Sequence, residues 1–372
     1  MRKGWEYKKL GEVGTFLRGK NILKSDFVEK GLPCIHYGQI HTKFGISTDT
    51  HLTETSQEVY NKAIIASKND VLIAITSEDL EGSCKATAWL GDYDVAVSAH
   101  AAVFKHNLNP KYIVYYLKSQ SFYIEKSKYA RGFKVMEIKP TDIAKIPIPI
   151  PPKSTQLAIV SELDKINELI RLKKEQLKDF DNLAQSIFYE MFGDPVENEK
   201  GWEVKKLGEV CDIFAGGDKP NDIKATKDNE YIYPVIANGE GEKGILGYTK
   251  KCRVIKNAVT IGARGASIGN CRIVKDGFTP AIRLLTLIPS EKLDCPFLFY
   301  IVKGLDYKQN GAGQAQLTVP NIKNESIPLP PLPLQHLFAL RIEQIEHQKA
   351  EVQKAITDLE TLLASRMQYW FE

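Results

Sequence analysis

The sequence predicts two mixed α/β (α+β) domains built on one plan, separated by two long helices that form an antiparallel coiled coil. Three observations lead to this prediction. The chain has 372 residues, which is more than a single hydrophobic core ordinarily fills. Its opening segment recurs in the second half of the chain. Each copy ends in a proline cluster that is followed by a long apolar pattern of helical period.

The internal repeat divides the chain into two copies. GWEYKKLGEV at residues 4–13 returns as GWEVKKLGEV at residues 201–210, an offset of 197 residues. IPIPPKSTQ at 148–156 returns as IPLPPLPLQ at 327–335, an offset of 179, so the body between the markers is 18 residues shorter in the second copy. The bodies share little beyond related endings. Two copies with constant ends and different interiors indicate two units that have the same function but act on different targets.

Each body alternates short β-rich runs with turn signals. The runs are VLIAI and DVAVSAHAAVF in the first body and RVIKNAVTIGA and IRLLTLI in the second. A helix that packs on a sheet is predicted after each set of runs, from KYIVYYLKSQ and from PFLFYIVKGL. We therefore predict a first domain at residues 1–150, a first spacer helix at 151–197, a second domain at 198–330 and a second spacer helix at 331–372.

The proline clusters at 147–152 and 328–333 end the domains, because proline lacks an amide hydrogen. Each following helix is predicted to be about 38 residues and roughly 57 Å long. Its seven-residue apolar repeat is typical of a coiled-coil seam. Lys173, Lys349 and Arg366 interrupt the seam, and for the lysines a stem bent out to water is favoured over a register-setting role. The predicted pairing residues are Leu163, Ile166, Ile170, Leu177, Phe180, Ile187, Ile342, Ile345, Val352, Ile356, Leu359 and Leu363.

Bulk properties narrow the class of protein without fixing it. The net charge of +4 and the pI near 8.5 permit nucleic-acid binding but do not by themselves indicate it. The start of the sequence has no signal peptide and no run of eighteen apolar residues occurs, so a cytoplasmic protein without membrane contact is expected. The six cysteines form no C-x-x-C pair, so reduced thiols and no metal are expected.

The doubled order of markers resembles the specificity subunit of type I restriction-modification systems. The resemblance rests on the GWE-x-x-x-LGEV opening, GARGASIG in the second body, a G-x-G-x-x-x-L ending, the IPLPP-x-x-x-Q linker and the long helix that follows. It covers essentially the full chain. It implies that each domain is a target recognition domain that reads one half of a split DNA sequence.

The resemblance also implies a role for the helices. They would act as a ruler, and roughly 57 Å limits the separation of half-site centres to about 16 base pairs, with one helical turn of about 10 as the natural value. An antiparallel pair of identical frames would relate the domains by a pseudo-twofold axis, which is also the symmetry of duplex DNA.

The chemistry is expected on partner subunits. The resemblance implies two modification (methyltransferase) subunits that bind S-adenosylmethionine, and restriction subunits, where present, that use ATP and Mg²⁺. This chain should carry no cofactor and no catalytic residue, because it has no methylation motif, no helicase signature and no convincing nuclease carboxylate pair. GTFLRGKN at residues 14–21 ends in Asn where a P-loop needs Ser or Thr, so a phosphate-contacting turn is favoured over nucleotide binding.

Candidate DNA-binding residues are polar, basic or aromatic residues of predicted loops. Arg264 could fork onto guanine or phosphate, with an exposed turn arginine as the alternative, and the first body has Lys85 near the corresponding place. Gln314 and Gln316 could pair with adenine, or be ordinary loop polarity. The predicted set is Arg18, Lys20, His36, Tyr37, His41, Lys43, Lys85, Arg131, Lys134, Lys219, Lys243, Arg264, Gln314 and Gln316.

Two other classes of function stay open at this point. The repeat architecture alone also permits a coiled-coil interaction scaffold that never touches DNA. A nuclease or ATPase ranks third, because the residues that such chemistry needs are absent. The basic residues in predicted loops and the family resemblance favour DNA binding.

Overall fold

The computed structural model describes residues 4–132, 134–239, 244–305 and 317–372, with Ala266 described by its backbone alone. Packing divides the chain into two compact units, Met1–Lys173 with Ala355–Glu372, and Lys174–Lys354. Each unit contains one body of the repeat and part of both long helices. This grouping follows contacts, and the four consecutive segments inferred from the sequence stay a prediction.

The first body is a mixed α/β domain of short strands and helices. Both of its β-rich runs form strands, and the predicted helix forms after them. Its strands are β1 (Glu6–Lys9), β2 (Gly14–Arg18), β3 (Phe27–Val28), β4 (Leu32–Ile35), β5 (Ser47–Thr48), β6 (Thr53–Thr55), β7 (Ile64–Ala66), β8 (Val71–Ala74), β9 (Thr76–Ser77), β10 (Ala86–Trp89), β11 (Val95–Val97), β12 (Ala101–His106), β13 (Met136–Glu137) and β14 (Pro147–Ile150). Its helices are α1 (Leu10–Val13), α2 (Tyr37–Thr42), α3 (Gln57–Lys62), α4 (Pro110–Leu117), α5 (Gln120–Ser127) and α6 (Pro140–Ile143).

Two five-stranded sheets organise this body, in the orders β2-β12-β8-β10-β5 and β3-β6-β4-β11-β7. Strand β8 lies inside the first sheet and is buried on both faces. Val71 and Ile73 belong to the core that includes α4, whereas Leu72 and Ala74 belong to the core that includes β11. Because side chains alternate between the faces of a strand, a strand covered on both sides needs an uninterrupted apolar run. This explains why VLIAI has no polar residue.

Helix α7 (Lys153–Phe192) connects the first body to the second. The second body has β15 (Glu203–Lys206), β16 (Cys211–Ala215), β17 (Tyr233–Ile236), β18 (Ile245–Thr249), β19 (Ala258–Ile261), β20 (Cys271–Val274), β21 (Thr279–Pro280), β22 (Leu285–Pro289) and β23 (Ser326–Leu329), with helices α8 (Leu207–Val210), α9 (Cys295–Gly304) and α10 (Val319–Asn324). Its sheets have the orders β16-β22-β19-β20 and β18-β17-β21. Helix α11 (Leu332–Phe371) follows.

One detail of the proline clusters differs from the prediction. Pro333 was expected to lie before the second helix, but α11 begins at Leu332 and includes it. Proline is tolerated in the first turn because its missing amide hydrogen would have no intrahelical partner there. The cluster therefore leads directly into the helix.

The two repeated markers pair with each other in each body. Strand β1, from the opening marker, pairs antiparallel with β14, from the closing marker, and Lys9 lies opposite Pro147. Strand β15 pairs with β23 in the same way, and Lys206 lies opposite Ser326. The register is the same in both copies. The beginning and the end of each body are therefore held together by the two segments that the sequence repeats.

The glutamine that ends each closing marker is buried. Gln156 is 2% exposed; its Oε1 accepts from Asn109 N at 3.1 Å and its Nε2 donates to Pro151 O at 2.9 Å. Gln335 is 0% exposed; its Oε1 accepts from Asp294 N at 2.8 Å. Asn109 and Asp294 are the N-cap residues of α4 and α9. Each glutamine thus ties the start of a long helix to the start of a body helix.

Both units contain an interhelical ion pair. In the second unit, Lys349 Nζ on α11 binds Asp181 Oδ1 on α7 at 2.8 Å, rather than extending freely into water as expected. In the first unit, Arg366 Nη2 donates to Glu162 Oε2 at 3.1 Å, and Trp370 Nε1 donates to the same oxygen at 3.0 Å. Lys349 and Arg366, which interrupt the apolar seam in the sequence, therefore each link the two long helices within one unit.

The ends of the long helices pack on the body helices. Phe188 stacks on Phe297 of α9 at 5.8 Å and meets Phe338 of α11 at 5.7 Å. In the first unit Phe371 meets Tyr112 of α4 at 5.5 Å. Pairing of 181 with 349 and of 188 with 338 gives the two helices of the second unit opposite directions.

The twelve predicted pairing residues all lie away from the exposed helix faces. Seven are buried: Leu163, Ile166, Ile170, Ile342, Ile345, Val352 and Ile356. Five are half-buried: Leu177, Phe180, Ile187, Leu359 and Leu363. Over the part of the chain that the structure describes, no helix is both long enough and apolar enough to cross a membrane.

Replacing Gln335, which is 0% exposed, with alanine should lower the free energy of unfolding by about 1–3 kcal/mol, because the amide of Asp294 and the carbonyls of Lys292 and Pro330 lose their partner. Urea denaturation of the chain measures this. Gln348→Ala is the matched control, since Gln348 is exposed on the same helix and its loss should change the midpoint little. Equal midpoints for both variants would show that the buried glutamine has no stabilising role.

Candidate nucleic-acid interface

The main sheets of the two bodies share a four-stranded pattern. The order β2-β12-β8-β10 matches β16-β22-β19-β20, and every pairing is antiparallel. Backbone hydrogen bonds fix the correspondence by residue. Gly19 N donates to Ala101 O at 2.9 Å, and Gly216 N donates to Leu284 O at 2.8 Å. Ala101 and Leu284 therefore occupy the same position in the two bodies.

The same correspondence holds at the end of the central strand. Ile138 N donates to Ile75 O at 3.0 Å, and Leu317 N donates to Ala263 O at 3.0 Å. The connection after β8 thus corresponds to the GARGASIGN connection after β19, as the sequence suggested for Lys85. It is longer in the first body.

Three segments meet at this end of each sheet, and we call their meeting point the three-loop corner. The segments are the residues after β4 or β17, the connection after β8 or β19, and the residues that enter β12 or β22. In the first body they are 36–38, 75–85 and 98–101, and in the second body 237–239, 262–270 and 281–284.

In the first body the corner gathers several predicted site residues. Tyr37 N donates to Ser98 Oγ at 3.0 Å, and His41 Nε2 lies 2.9 Å from Thr76 O. Arg18 Nη2 lies 2.9 Å from Glu137 Oε1. The side chain of Arg18 remains 50% exposed, so the ion pair orients the guanidinium without removing it from solvent.

Arg131 joins the same group through its backbone. Its amide donates to Glu137 O at 3.1 Å, and Glu137 N donates back to Arg131 O at 2.8 Å. Strand β13, which contains Glu137, pairs with β9 next to Thr76. The structure therefore places Arg18, His41 and Arg131 around one short strand pair. Tyr37 lies next to this group, with its ring 6.1 Å from the ring of His41.

His36 has a structural contact that the sequence did not predict. It is the N-cap residue of α2, and its Nδ1 accepts from Gly38 N at 3.2 Å. Burial lowers its pKa below the ordinary histidine value, with Lys24 and His100 adding to the effect. The ring is therefore neutral at pH 7, and its role in DNA contact stays a prediction.

The other basic candidates of the first body are exposed: Lys20, Lys43, Lys85 and Lys134. The connection after β8 also exposes three acidic side chains, Glu78, Asp79 and Glu81. The buried Lys126 stabilises this connection, because its Nζ donates a hydrogen bond to Ser83 O at 2.6 Å. The corner of the first body is therefore mixed in charge rather than purely basic.

In the second body Lys219 and Arg264 are exposed, and Arg264 precedes a 3-10 helix at Gly265–Ser267. Asn238, which sequence reasoning missed, joins all three segments. Its Oδ1 accepts from Ala263 N at 2.9 Å, and its Nδ2 donates to Ile282 O at 2.9 Å. Lys243, Gln314 and Gln316 lie outside the described residues.

Asn238 corresponds to Tyr37. Ser98 N donates to Ile35 O at 3.1 Å and Ala281 N donates to Ile236 O at 2.8 Å, so Ile35 matches Ile236 and each site residue follows two positions later. Both segments have the pattern P-x-I-x-x-G, from Pro33 to Gly38 and from Pro234 to Gly239. This short similarity is the sequence signal that could have identified Asn238.

The described residues contain no group of three His, Cys, Asp or Glu side chains that could hold a metal ion. Burial raises the pKa of Cys84, Cys211, Cys271 and Cys295 to about 12 each. These thiols are therefore protonated and unreactive at neutral pH.

The family model of the type I restriction modification DNA specificity domain matches residues 2–179 and 199–361. The chain belongs to this family. A candidate type I specificity subunit from Mycoplasma pneumoniae is 28% identical over 65% of this chain and 75% of that protein. The MjaVIII specificity subunit of Methanocaldococcus jannaschii is 23% identical over 96% of this chain and 92% of its own length.

A solved S subunit from M. genitalium has a TM-score of 0.60 at 15% identity, covering 99% of this chain and 96% of that chain. At this identity the likeness shows the fold alone. The relatives are named specificity subunits, which are not catalytic, since catalysis belongs to partner subunits of the system. The two bodies of this specificity subunit are therefore DNA-recognition domains.

Replacing Lys20 with alanine should weaken binding to all duplex sequences alike, because an exposed lysine beside Gly19 is placed for a phosphate contact. The slope of log affinity against log salt should become shallower by about 0.9. Titrations of duplex DNA at several salt concentrations measure both effects. Lys68→Ala is the control, since Lys68 pairs with Asp92 at the opposite end of β8. A change in sequence preference, or an equal effect of both variants, would contradict a phosphate contact at Lys20.

Proposed function

We propose that this chain is the DNA-reading subunit of a type I restriction-modification enzyme in which each body reads one half of a bipartite duplex target. The observation that carries the proposal is the three-loop corner. Both bodies build it on the same strands with the same backbone hydrogen bonds, yet with different side chains. A fixed frame that presents different side chains suits two readers of different short sequences.

The exposed side chains of the corner have the chemistry of groove and backbone contacts. Arginine forks onto guanine or phosphate, and lysine contacts phosphate. Within the corner the first body offers Lys85 and the second offers Arg264. The ends of the neighbouring strands β2 and β16, and the residues after them, add Arg18 and Lys20 in the first body and Lys219 in the second. Glu78 and Glu81 would repel phosphates. A base edge is a more suitable partner for them, because a carboxylate can accept a hydrogen bond from the amino group of cytosine.

The long helices would set the distance between the half-sites. Helices α7 and α11 each contain 40 residues, which is roughly 60 Å at 1.5 Å per residue. At 3.4 Å per base pair this limits the separation of half-site centres to about 18 base pairs. One helical turn, about 10 base pairs, is the value that would place both readers on the same side of the duplex.

Two modification subunits would dock on the helices, with restriction subunits joining where present. S-adenosylmethionine, ATP and Mg²⁺ would bind those partners, in the cytoplasm, and not this chain. Exposed apolar residues at equivalent helix positions support such a surface. Leu183 is 46% exposed and Leu362 is 45% exposed, and the two are separated by the 179-residue offset of the closing markers.

Methylation mapping tests the reading function. DNA from cells that contain this chain and a modification subunit should be methylated at a split motif on opposite strands, and the methylation should disappear when the chain is absent. Sequencing that detects methyladenine measures this. Cells with the modification subunit alone are the control. Unchanged methylation despite an assembled complex would remove the DNA-reading role and favour a scaffold.

The docking surface has its own test. Replacing both Leu183 and Leu362 with glutamine should abolish or strongly reduce copurification of the modification subunit, because a buried interface would then hold unpaired polar groups. Leu157→Gln is the matched control: Leu157 is 59% exposed on α7, but its counterpart in α11 is the polar His336. Full retention of the partner by the double variant, or equal loss with the control, would place the docking surface elsewhere.

A further inference from the structure

Each three-loop corner contains an exposed non-glycine residue in the left-handed backbone region. In the first body it is His100, with φ +66°, and in the second it is Arg283, with φ +58°. His100 directly precedes Ala101 and Arg283 directly precedes Leu284, which are equivalent residues. The two bodies therefore keep the same strained conformation at the same position with different side chains.

The conformation is imposed by the surrounding backbone. Gly19 approaches Ser98 so closely that a Cβ on it would lie 2.1 Å from the Ser98 carbonyl oxygen, and a Cβ on Gly216 would lie 2.7 Å from the carbonyl carbon of Pro280. Only glycine permits such an approach. The same glycines then bond to the far side of the strained residue, at Ala101 and Leu284. In both bodies, backbone contacts with this glycine therefore hold the turn on both sides of the strained residue.

The side chains at this position face solvent. His100 is exposed, and its ring centroid lies 5.2 Å from that of Tyr37, with the two rings tilted at 55°. Arg283 is exposed, and its guanidinium makes no hydrogen bond or ion pair with the residues that the structure describes. An unpaired guanidinium on a rigid turn retains all its donors for a ligand.

Left-handed conformations of residues other than glycine occur at functional sites when the surrounding structure over-determines them. Nothing in the core of either body requires a histidine or an arginine here, because both side chains are exposed. What the two bodies have in common is the direction in which the turn presents the side chain, and what differs is its chemistry. That is the expected signature of a position that selects a target.

We propose that His100 and Arg283 occupy a specificity-determining position, one in each body, and that Arg283 reads a guanine of the second half-site through two hydrogen bonds to its O6 and N7. This inference rests on the proposed reading function. Neither residue stands in a sequence motif, because the position is defined by the sheet register and not by similarity.

The test is methylation of a DNA library randomised at the motif, by the complex of this chain with its modification subunit. Arg283→Gly removes the side chain and suits the left-handed backbone, so the fold should be retained and the thermal midpoint should not fall. Discrimination at one position of one half-site should drop by roughly 5- to 150-fold, the range of a bidentate base contact. All other positions should keep their preference. His100→Gly should relax one position of the other half-site.

Asp276→Gly is the matched control, since Asp276 is an exposed left-handed residue of the same body, with φ +64°, in the turn after β20 and outside the three-loop corner; it should leave the motif unchanged. Arg283→Lys keeps the charge but loses the planar fork, so specificity should relax at the same position while overall affinity is largely kept. This variant also tests the proposal if the glycine variant fails to fold.

An unchanged motif in both Arg283 variants would overturn the inference. So would a uniform loss of methylation that Arg283→Lys restores at every position, because that pattern marks a phosphate contact. If the wild-type complex itself produces no split motif, the proposed reading function fails, which is a separate outcome from a split motif that Arg283 does not influence.

Discussion

The pairing of the opening strand with the closing strand is the constraint on which each body depends. It brings the two ends of a long and variable segment to adjacent backbone positions, Lys9 beside Pro147 and Lys206 beside Ser326. Whatever lies between must begin and end at this ladder. Loop-closure entropy rises slowly with length, so a body can gain or lose 18 residues without disturbing the ladder. The repeated markers are constant because they form this ladder and begin the long helices.

The three-loop corner, at the other end of each body, is constrained in a different way. There the strands keep their register, but the side chains at the three-loop corner differ, and so does their charge. After β8 the first body exposes Glu78, Glu81 and Lys85, whereas after β19 the second exposes Arg264. Tyr37 and Asn238 occupy one position and make unrelated contacts with the neighbouring segments. Sheet pairing therefore fixes where the variable residues lie and leaves their chemistry unconstrained.

Much of the frame was predictable from the sequence, because repeats and periodicity report on regular structure. VLIAI predicted a strand, and the seven-residue pattern predicted the long helices within a few residues of their ends. The candidate site was less predictable. The Arg18 and Glu137 ion pair, the His36 cap and the Asn238 bridge all depend on register between segments distant in sequence. Local pattern does not encode register, so these contacts required the structure.

The left-handed residues bear on how recognition is arranged. For a residue with a side chain this conformation costs about 1–2 kcal/mol, and here it occurs at His100 and Arg283. Because the glycine contacts and strand bonds around them form with the fold, this cost is met during folding and not during binding. A side chain on a rigid turn loses little conformational entropy when it meets its ligand. More of the contact energy then remains to distinguish one base pair from another, which is the quantity that a DNA-recognition domain must maximise.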